Sequence, residues 1–223
     1  MTSMTEAVIF DMDGLLIDTE PLWRQAEKEI FSNYGIELTG EMAKKNHGLA
    51  TDEVIMQWYS YKPWPGPDHN RLKNELYHKV YELFTGMKGN GMLREGALQA
   101  IESVRSAGLR TAIATSSPRL MIDAFLGKYN LRDQFRIDHT SEDEAYGKPH
   151  PAVYLGVASK LGLPPSSCLA VEDSVNGLIS ARSARMKTIA VPEPSDFDNP
   201  QYSIADHKLH SLLELDVSLV RSL

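Results

Sequence analysis

Cysteine is nearly absent from this sequence, which has Cys168 alone among its 223 residues. One thiol cannot form a disulfide within the chain, and it cannot build a zinc site from several cysteines. Long apolar runs are missing too, since no stretch approaches the roughly 18 residues of a membrane-spanning helix, and we expect no membrane partner. The N-terminal segment lacks the basic region of a secretory signal, so we expect a protein of the reducing cytoplasm.

The sequence also has fewer basic residues than acidic ones. The 23 lysine and arginine residues are outnumbered by 30 aspartate and glutamate residues, which gives a net charge of −7. Proteins that bind nucleic acid usually carry a basic surface that neutralises phosphates, so this excess of acid argues against a nucleic-acid partner. An anionic ligand of any kind would need positive charge supplied locally.

The length and the composition are those of a folded protein with one main core. Apolar residues make up 42% and charged residues 24% of the sequence, which is ordinary for a globular chain. At about 150 residues per domain, the chain suits one full domain and a smaller unit. We expect a monomer.

The order of the predicted elements indicates an α/β fold with an insertion. Residues 7–10 (AVIF) form a short apolar run typical of a buried parallel strand. The pattern is then helical over residues 17–88, and beyond residue 89 strands and helices alternate. We therefore predict a Rossmann-like parallel sheet core from residues 1–16 and 89–223, with residues 17–88 inserted as a helical cap domain.

Further strands are predicted after the insertion. Short apolar runs place them at Arg110–Ala114, Cys168–Val171 and Thr188–Val191, and a weaker run suggests one at Phe135–Ile137. Thr188–Val191 is the last predicted core strand, and the proline at position 192 ends it.

Polar side chains follow three of these strands, and a lysine lies in a loop before a predicted helix. Ligands of parallel sheets bind at the carboxyl ends of the strands, so we expect these groups to converge. They are Asp11 and Asp13, Thr115 and Ser116, Glu172 and Asp173, and Lys148.

This set of groups favours metal-assisted phosphoryl transfer. Mg²⁺ prefers oxygen ligands and commonly takes one or two carboxylates, and a carboxylate can also act as a nucleophile. Hydroxyl and N–H groups before a helix bind phosphate oxygens, and Lys148 adds a positive charge. Each motif alone is more often a solvated loop or a helix cap. Their combination at one sheet edge is what predicts a site with Mg²⁺ as cofactor.

The same motifs, in this order and spacing, resemble those of the haloacid dehalogenase superfamily. The matching segments are Phe10–Glu20 (FDMDGLLIDTE), the turn at residues 115–117, Lys148 before a proline, and Val171–Gly177 (VEDSVNG). The resemblance covers essentially the whole chain, including a small helical cap between the first two motifs. It implies a phosphatase with an aspartyl-phosphate intermediate.

Roles for individual residues follow from this resemblance. It implies that Asp11 is the nucleophile, that Asp13 is the general acid and base, and that Lys148, Thr115 and Ser116 hold the phosphate. It also implies a Mg²⁺ site built from the Asp11 carboxylate, the Asp13 backbone carbonyl and Asp173, with Glu172 close by as a further member of the metal group.

Differences between this sequence and related families reduce the number of reactions that we expect. Dehalogenases lack the second aspartate and phosphonatases have alanine there, so Asp13 argues against both activities. A β-phosphoglucomutase would have histidine in place of Trp23 and arginine in place of Thr51, which argues against a mutase. Three segments (DMDGLLIDTEPLW, PWPGP and ARMKTIAVP) resemble the bacterial 2-deoxyglucose-6-phosphatase (hexitol phosphatase) branch, although Ala50 replaces an arginine of that branch.

The expected substrate is a small phosphorylated metabolite, most simply a sugar or polyol phosphate resembling 2-deoxyglucose 6-phosphate. Candidate contacts to it are Glu20, Trp23 and His47. The alternatives are a helix-terminal charge for Glu20, a packing role for Trp23 and a solvated loop side chain for His47. A sugar-phosphate mutase and a non-catalytic sugar-phosphate-binding regulator remain alternative functions.

Overall fold

The computed structural model of the protein describes residues 4–40, 42, 51–66, 68–89 and 91–223. The chain divides into two compact units, Met1–Asp18 with Asn90–Leu223, and Thr19–Gly89. Within the described ranges, no helix is both long enough and apolar enough to cross a membrane.

The smaller unit is helical in its described part, with α1 (Glu20–Ser32), α2 (Thr51–Tyr61) and α3 (His69–Gly86). The Asp68 side chain accepts a hydrogen bond from the Arg71 backbone N–H at 2.9 Å and caps α3. A four-residue spacing of apolar side chains buries one face of α3, and aromatic rings of α1 pack edge-on against rings of α2 and α3. Helix periodicity and aromatic packing therefore account for this unit.

The larger unit is built on a sheet of parallel strands, which are β1 (Ala7–Phe10), β2 (Arg110–Thr115), β3 (Ile137–Thr140), β4 (Cys168–Glu172), β5 (Lys187–Ala190) and β6 (His207–Lys208). Their order across the sheet is β3-β2-β1-β4-β5-β6. Every residue of β1 is fully buried, which explains its uninterrupted apolar run. The predicted α/β, Rossmann-like fold class is confirmed.

Helices accompany the sheet, as the alternating pattern predicts. They are α4 (Ala97–Ser106), α5 (Arg119–Lys128), α6 (Ala152–Leu161), α7 (Val175–Ser183) and α8 (Val217–Ser222). Apolar side chains of α6 and α7 form one buried cluster with residues of β1, β2 and β4. The central strands are thereby held rigidly, and the loops at their carboxyl ends start from fixed points.

Two strand predictions are corrected. Phe135 belongs to no strand, because it ends the 3-10 turn Arg132–Gln134, and the pairing of β3 with β2 begins at Ile137. Its apolar character reflects its ring, which is buried edge-on against Phe10 with ring centroids 6.4 Å apart. The strand at Lys187–Ala190 is not the last one, since the two-residue β6 pairs beside it. A strand of two partly exposed residues leaves no apolar run for sequence analysis to detect.

Candidate active site

The carboxyl ends of β2 and β4 lie on either side of the central strand β1. In the sheet register, Phe10 is the neighbour of both Ile113 on β2 and Val171 on β4, so the residues that follow on each strand are also neighbours. The Asp11 N–H donates to the Val171 carbonyl at 3.0 Å and extends the pairing by one step. Asp11 and Glu172 are thus brought together by strand pairing, as the sequence predicts.

Lys148 joins these strand ends. Its Nζ donates to Asp11 Oδ1 at 2.6 Å, to Glu172 Oε1 at 2.6 Å and to the Ala114 carbonyl at 3.0 Å. Its side chain is only 6% exposed, so the ammonium is desolvated and its charge is weakly screened. The predicted convergence of a lysine with the carboxylates is therefore present in the geometry.

Asp13 lies beyond Asp11, at the start of a tight turn. The Gly14 N–H donates to the Ile17 carbonyl at 2.7 Å, and Gly14 has φ of +92°, a conformation that favours glycine. The Ser117 hydroxyl donates to Asp13 Oδ2 at 3.4 Å, and Asp13 is close enough to Asp11 to influence its ionisation. The turn therefore keeps the second aspartate beside the first.

The hydroxyl turn after β2 is ordered by its own hydrogen bonds. Thr115 is buried, and its Oγ1 accepts from the Ser117 N–H at 3.1 Å. The Thr140 hydroxyl donates to the Ser117 carbonyl at 2.6 Å, whereas Ser116 is exposed. The turn thus joins the ends of β2 and β3, and it leaves Ser116 facing solvent.

Asp173 packs directly against the Gly14 turn. A Cβ atom at position 14 would lie 2.1 Å from Asp173 Oδ2, so only glycine lets the two loops approach this closely. The Tyr202 hydroxyl donates to the Asp173 carbonyl at 2.8 Å and fixes the backbone behind the side chain. Glycine and tyrosine therefore both serve to place one carboxylate.

The acidic groups suit a divalent cation. Asp11, Glu172 and Asp173 each offer a carboxylate oxygen, and these atoms lie within 4.8 Å of one another. Lys148 is the ammonium bonded to this group, and a single positive charge does not balance three carboxylates. Hard cations such as Mg²⁺ bind oxygen ligands and would supply the missing charge, so the residues fit the predicted metal.

Ionisation in the site reflects burial and charge together. Burial raises the pKa of Asp11 from 3.8 to about 7, with Lys148 opposing this rise and Glu172 adding to it. Burial and the neighbouring Asp11 and Glu172 carboxylates also raise the pKa of Asp173 well above its usual value. For Lys148, burial lowers the pKa, but the carboxylates outweigh it and raise the pKa overall, so the ammonium stays charged.

Sequence reasoning missed Tyr154, whose hydroxyl donates to Glu172 Oε1 at 2.6 Å. Burial, followed by the Glu172 and Asp11 carboxylates, raises the pKa of Tyr154 well above its usual value, so its hydroxyl keeps its proton and remains a donor. Tyr154 lies within a predicted helix beside Val153 and Val157, and all three are buried. The helical periodicity predicts that the face carrying Tyr154 is buried, but it does not predict that the Tyr154 hydroxyl contacts Glu172.

The remaining predicted substrate contacts lie elsewhere in the chain. Glu20 and Trp23 are on α1 in the helical unit, where Glu20 pairs with Arg24 at 3.9 Å and Trp23 packs edge-on against Tyr77 with ring centroids 6.0 Å apart. His47 and Ala50 fall outside the described residues. The role of all these side chains toward a substrate stays a prediction.

Comparison with known proteins shows relatives over most of the chain. The family model of haloacid dehalogenase-like hydrolases matches residues 5–185. The chain is 39% identical over 210 residues to hexitol phosphatase B of Escherichia coli strain K12, covering 94% of this chain and 93% of that protein. It is 32% identical over 187 residues to the phosphorylated carbohydrates phosphatase of Thermotoga maritima, covering 82% and 83% of the two chains.

A solved structure is similar over the full length. The crystal structure of CbbY from Rhodobacter sphaeroides in complex with phosphate superposes with a TM-score of 0.87 at 26% identity, covering 99% of this chain and all of that one. The family model spans most of the chain, and it includes every residue of the acidic and basic cluster. The chain belongs to the haloacid dehalogenase-like hydrolase family.

Proposed function

We propose that this hydrolase is a Mg²⁺-dependent phosphatase of small sugar or polyol phosphates, which it cleaves through a phosphorylated Asp11. The observation that carries the proposal is the buried Lys148 ammonium, 2.6 Å from the Asp11 carboxylate, with a second aspartate, Asp13, two residues further on. This combination offers a nucleophile, a positive charge for the phosphoryl oxygens and a group that can carry a proton.

In the first half-reaction, Lys148 binds Oδ1 of Asp11 and Oδ2 attacks phosphorus. The bond between phosphorus and the leaving oxygen breaks as the new bond to Asp11 forms. Protonated Asp13 gives its proton to the leaving oxygen, so the sugar departs as a neutral alcohol. The Ser117 hydroxyl, 3.4 Å from Asp13 Oδ2, keeps that carboxyl oriented.

In the second half-reaction, water replaces the sugar. Asp13, now a carboxylate, takes a proton from the water molecule while the water oxygen attacks phosphorus. The bond to Asp11 breaks, Asp11 leaves as a carboxylate, and inorganic phosphate is released. Asp13 ends protonated, so the protein returns to its starting state and the atoms balance.

Asp11 and Asp173 would hold the metal, together with the Asp13 backbone carbonyl that the family resemblance implies. When bound, Mg²⁺ supplies positive charge against the phosphoryl oxygens and the carboxylates. The chain itself contributes the Lys148 ammonium, whose positive charge also balances the negative charge of the phosphoryl group and of Asp11. Thr115 and Ser116 would supply hydroxyl and N–H donors in the turn between β2 and α5.

The substrate class rests on the relatives. Hexitol phosphatase B and the phosphorylated carbohydrates phosphatase are named for phosphorylated polyols and carbohydrates, and each is more than 30% identical to this chain over most of its length. We extend that class to this protein, with 2-deoxyglucose 6-phosphate and hexitol 6-phosphates as the first compounds to try.

Phosphate release across a panel of sugar and polyol phosphates tests the proposal. We expect release that requires Mg²⁺ and is abolished in Asp11→Asn, because an amide cannot replace the carboxylate nucleophile. A matched control is Asp123→Asn, the same change at an exposed ion pair with Arg132, which should keep wild-type turnover.

Three outcomes would contradict the proposal. Turnover in Asp11→Asn at the wild-type rate would exclude the covalent step. Isomerisation of a sugar phosphate without release of phosphate would indicate a mutase. Binding of sugar phosphates with no turnover of any compound would indicate a regulator.

A further inference from the structure

Lys148 belongs to a buried network that reaches beyond the proposed reaction. An ammonium has three N–H donors, and Lys148 donates them to the Asp11 carboxylate, the Glu172 carboxylate and the Ala114 carbonyl. The Ala114 carbonyl is a backbone group of β2 and is fixed by the sheet. The other two partners are side chains, and that of Glu172 has one more rotatable bond than that of Asp11. The position of Lys148 therefore depends on what holds the Glu172 carboxylate.

The Glu172 carboxylate is fully engaged with the protein. Oε1 accepts from Lys148 and from the Tyr154 hydroxyl, both at 2.6 Å. Oε2 accepts from the Ser174 hydroxyl at 3.2 Å and the Ser174 N–H at 3.3 Å. A carboxylate has about four lone-pair sites, and these four donors account for them. Glu172 therefore differs from Asp173, although the family resemblance implies that both belong to the metal group.

Gly177 gives this carboxylate its space. Glu172 is completely buried, and a Cβ atom at position 177 would lie 2.0 Å from its Cδ and Oε1 atoms. The first turn of α7 thus encloses the side chain from one side. Tyr154 bounds it through the hydroxyl, and the Tyr154 ring centroid lies 5.2 Å from Lys148 Nζ.

We propose that Tyr154 is a positioning residue that acts through Glu172, and that Glu172 anchors Lys148 rather than the metal. Tyr154 holds Oε1 where it faces the ammonium, so Lys148 is held from two sides and stays against Asp11. This inference rests on the proposed function, in which Lys148 binds Asp11 and its charge stabilises the transferred phosphoryl group.

The variant Tyr154→Phe removes one oxygen and keeps the buried ring. We expect kcat/KM for the best sugar phosphate to fall about tenfold, because a hydrogen bond to a buried charged network is lost. Titration of orthophosphate into the Mg²⁺-loaded protein should show weaker binding by a similar factor. The affinity for Mg²⁺ alone, measured by calorimetry, should stay within about twofold.

Thr111→Val is the matched control. Thr111 is buried, its hydroxyl donates to the Gln134 carbonyl, and it lies four residues before Thr115, about 13 Å along β2 from the site. This variant also loses one buried hydroxyl, and we expect it to lower the thermal midpoint while leaving kcat/KM and phosphate binding unchanged.

Two results would overturn the inference. Unchanged kcat/KM and phosphate affinity in Tyr154→Phe would show that the hydroxyl positions nothing. A fall in Mg²⁺ affinity of about fivefold or more would show that Glu172 is a metal ligand.

Gly177→Ala provides a second variant in case Tyr154→Phe does not fold. Its methyl group displaces the Glu172 carboxylate itself. Phosphate binding should weaken while the affinity for Mg²⁺ stays within about twofold, and unchanged phosphate binding or a larger loss of Mg²⁺ affinity would contradict the role given to Glu172. If the wild-type protein hydrolyses no phosphate ester, the proposed function fails. The orthophosphate and Mg²⁺ titrations still decide the role of Tyr154.

Discussion

Replacing Lys148 by methionine should destabilise the metal-free protein, and increasingly so as the pH rises. Methionine has nearly the length of lysine without its charge, so the packing is kept. The ammonium is 6% exposed and lies 2.6 Å from both the Asp11 and the Glu172 carboxylates. Its loss leaves two buried carboxylates without their counterion, a change that costs about 3–5 kcal/mol for a buried ion pair.

The pH dependence follows from the ionisation of Asp11. Burial raises its pKa from 3.8 to about 7 although Lys148 opposes the rise. Between these values the folded state holds a proton that the unfolded state has lost, so the free energy of unfolding falls with pH by about 1.4 kcal/mol per pH unit. In the wild-type protein this contribution ends at about pH 7. Without Lys148 the pKa rises further, and the fall continues to higher pH.

Urea unfolding in the presence of a chelator, from about pH 6 to about pH 9, measures this effect. We expect the stability difference between the wild-type protein and Lys148→Met to widen by about 1 kcal/mol or more above pH 7. Lys79→Met, which breaks a surface pair with Glu29, should change stability little and by the same amount at every pH in this range. A difference that stays constant across this range would refute the reasoning.

Three further predictions concern the acid, the metal and the turn. Asp13→Asn should slow hydrolysis of a sugar phosphate by about 10²-fold, but slow that of nitrophenyl phosphate less, because nitrophenolate leaves without a proton; equal losses in the two assays would exclude the acid role. Mg²⁺ should raise the thermal midpoint more at about pH 8 than at about pH 5, because Asp11 and Asp173 must first lose protons. A pH-independent shift would contradict this. Gly14→Ala should weaken Mg²⁺ binding about tenfold or more in calorimetry, since the new Cβ would displace Asp173; unchanged affinity would show that the close approach is unimportant.

Much of the fold is predictable because burial and chain pattern coincide there. The apolar run at residues 7–10 is fully buried on the central strand, and the alternation beyond it gives the parallel sheet. The two-residue strand His207–Lys208 escapes prediction because it is partly exposed and is defined by pairing with β5. Its existence depends on a neighbour distant in sequence.

The candidate site also has a part that the sequence predicts and a part that it does not. Asp11 and Glu172 come together because Asp11 follows β1 and Glu172 ends the neighbouring strand β4, and strand ends can be read from the sequence. The contact of Tyr154 with Glu172 depends on how α6 is rotated against the sheet, which local pattern does not fix. The full engagement of both Glu172 oxygens is likewise visible only once all four donors are placed.

The phosphorylation of Asp11 is the most direct test of the proposed function. The protein is mixed with its best sugar phosphate and Mg²⁺, quenched in acid during turnover, digested, and analysed by mass spectrometry. We predict one added phosphoryl group on the peptide that contains Asp11, and none in Asp11→Asn. Phosphate release by the wild-type protein without phosphorylation of this peptide at any time of quenching, or with the phosphoryl group on another residue, would contradict the proposal.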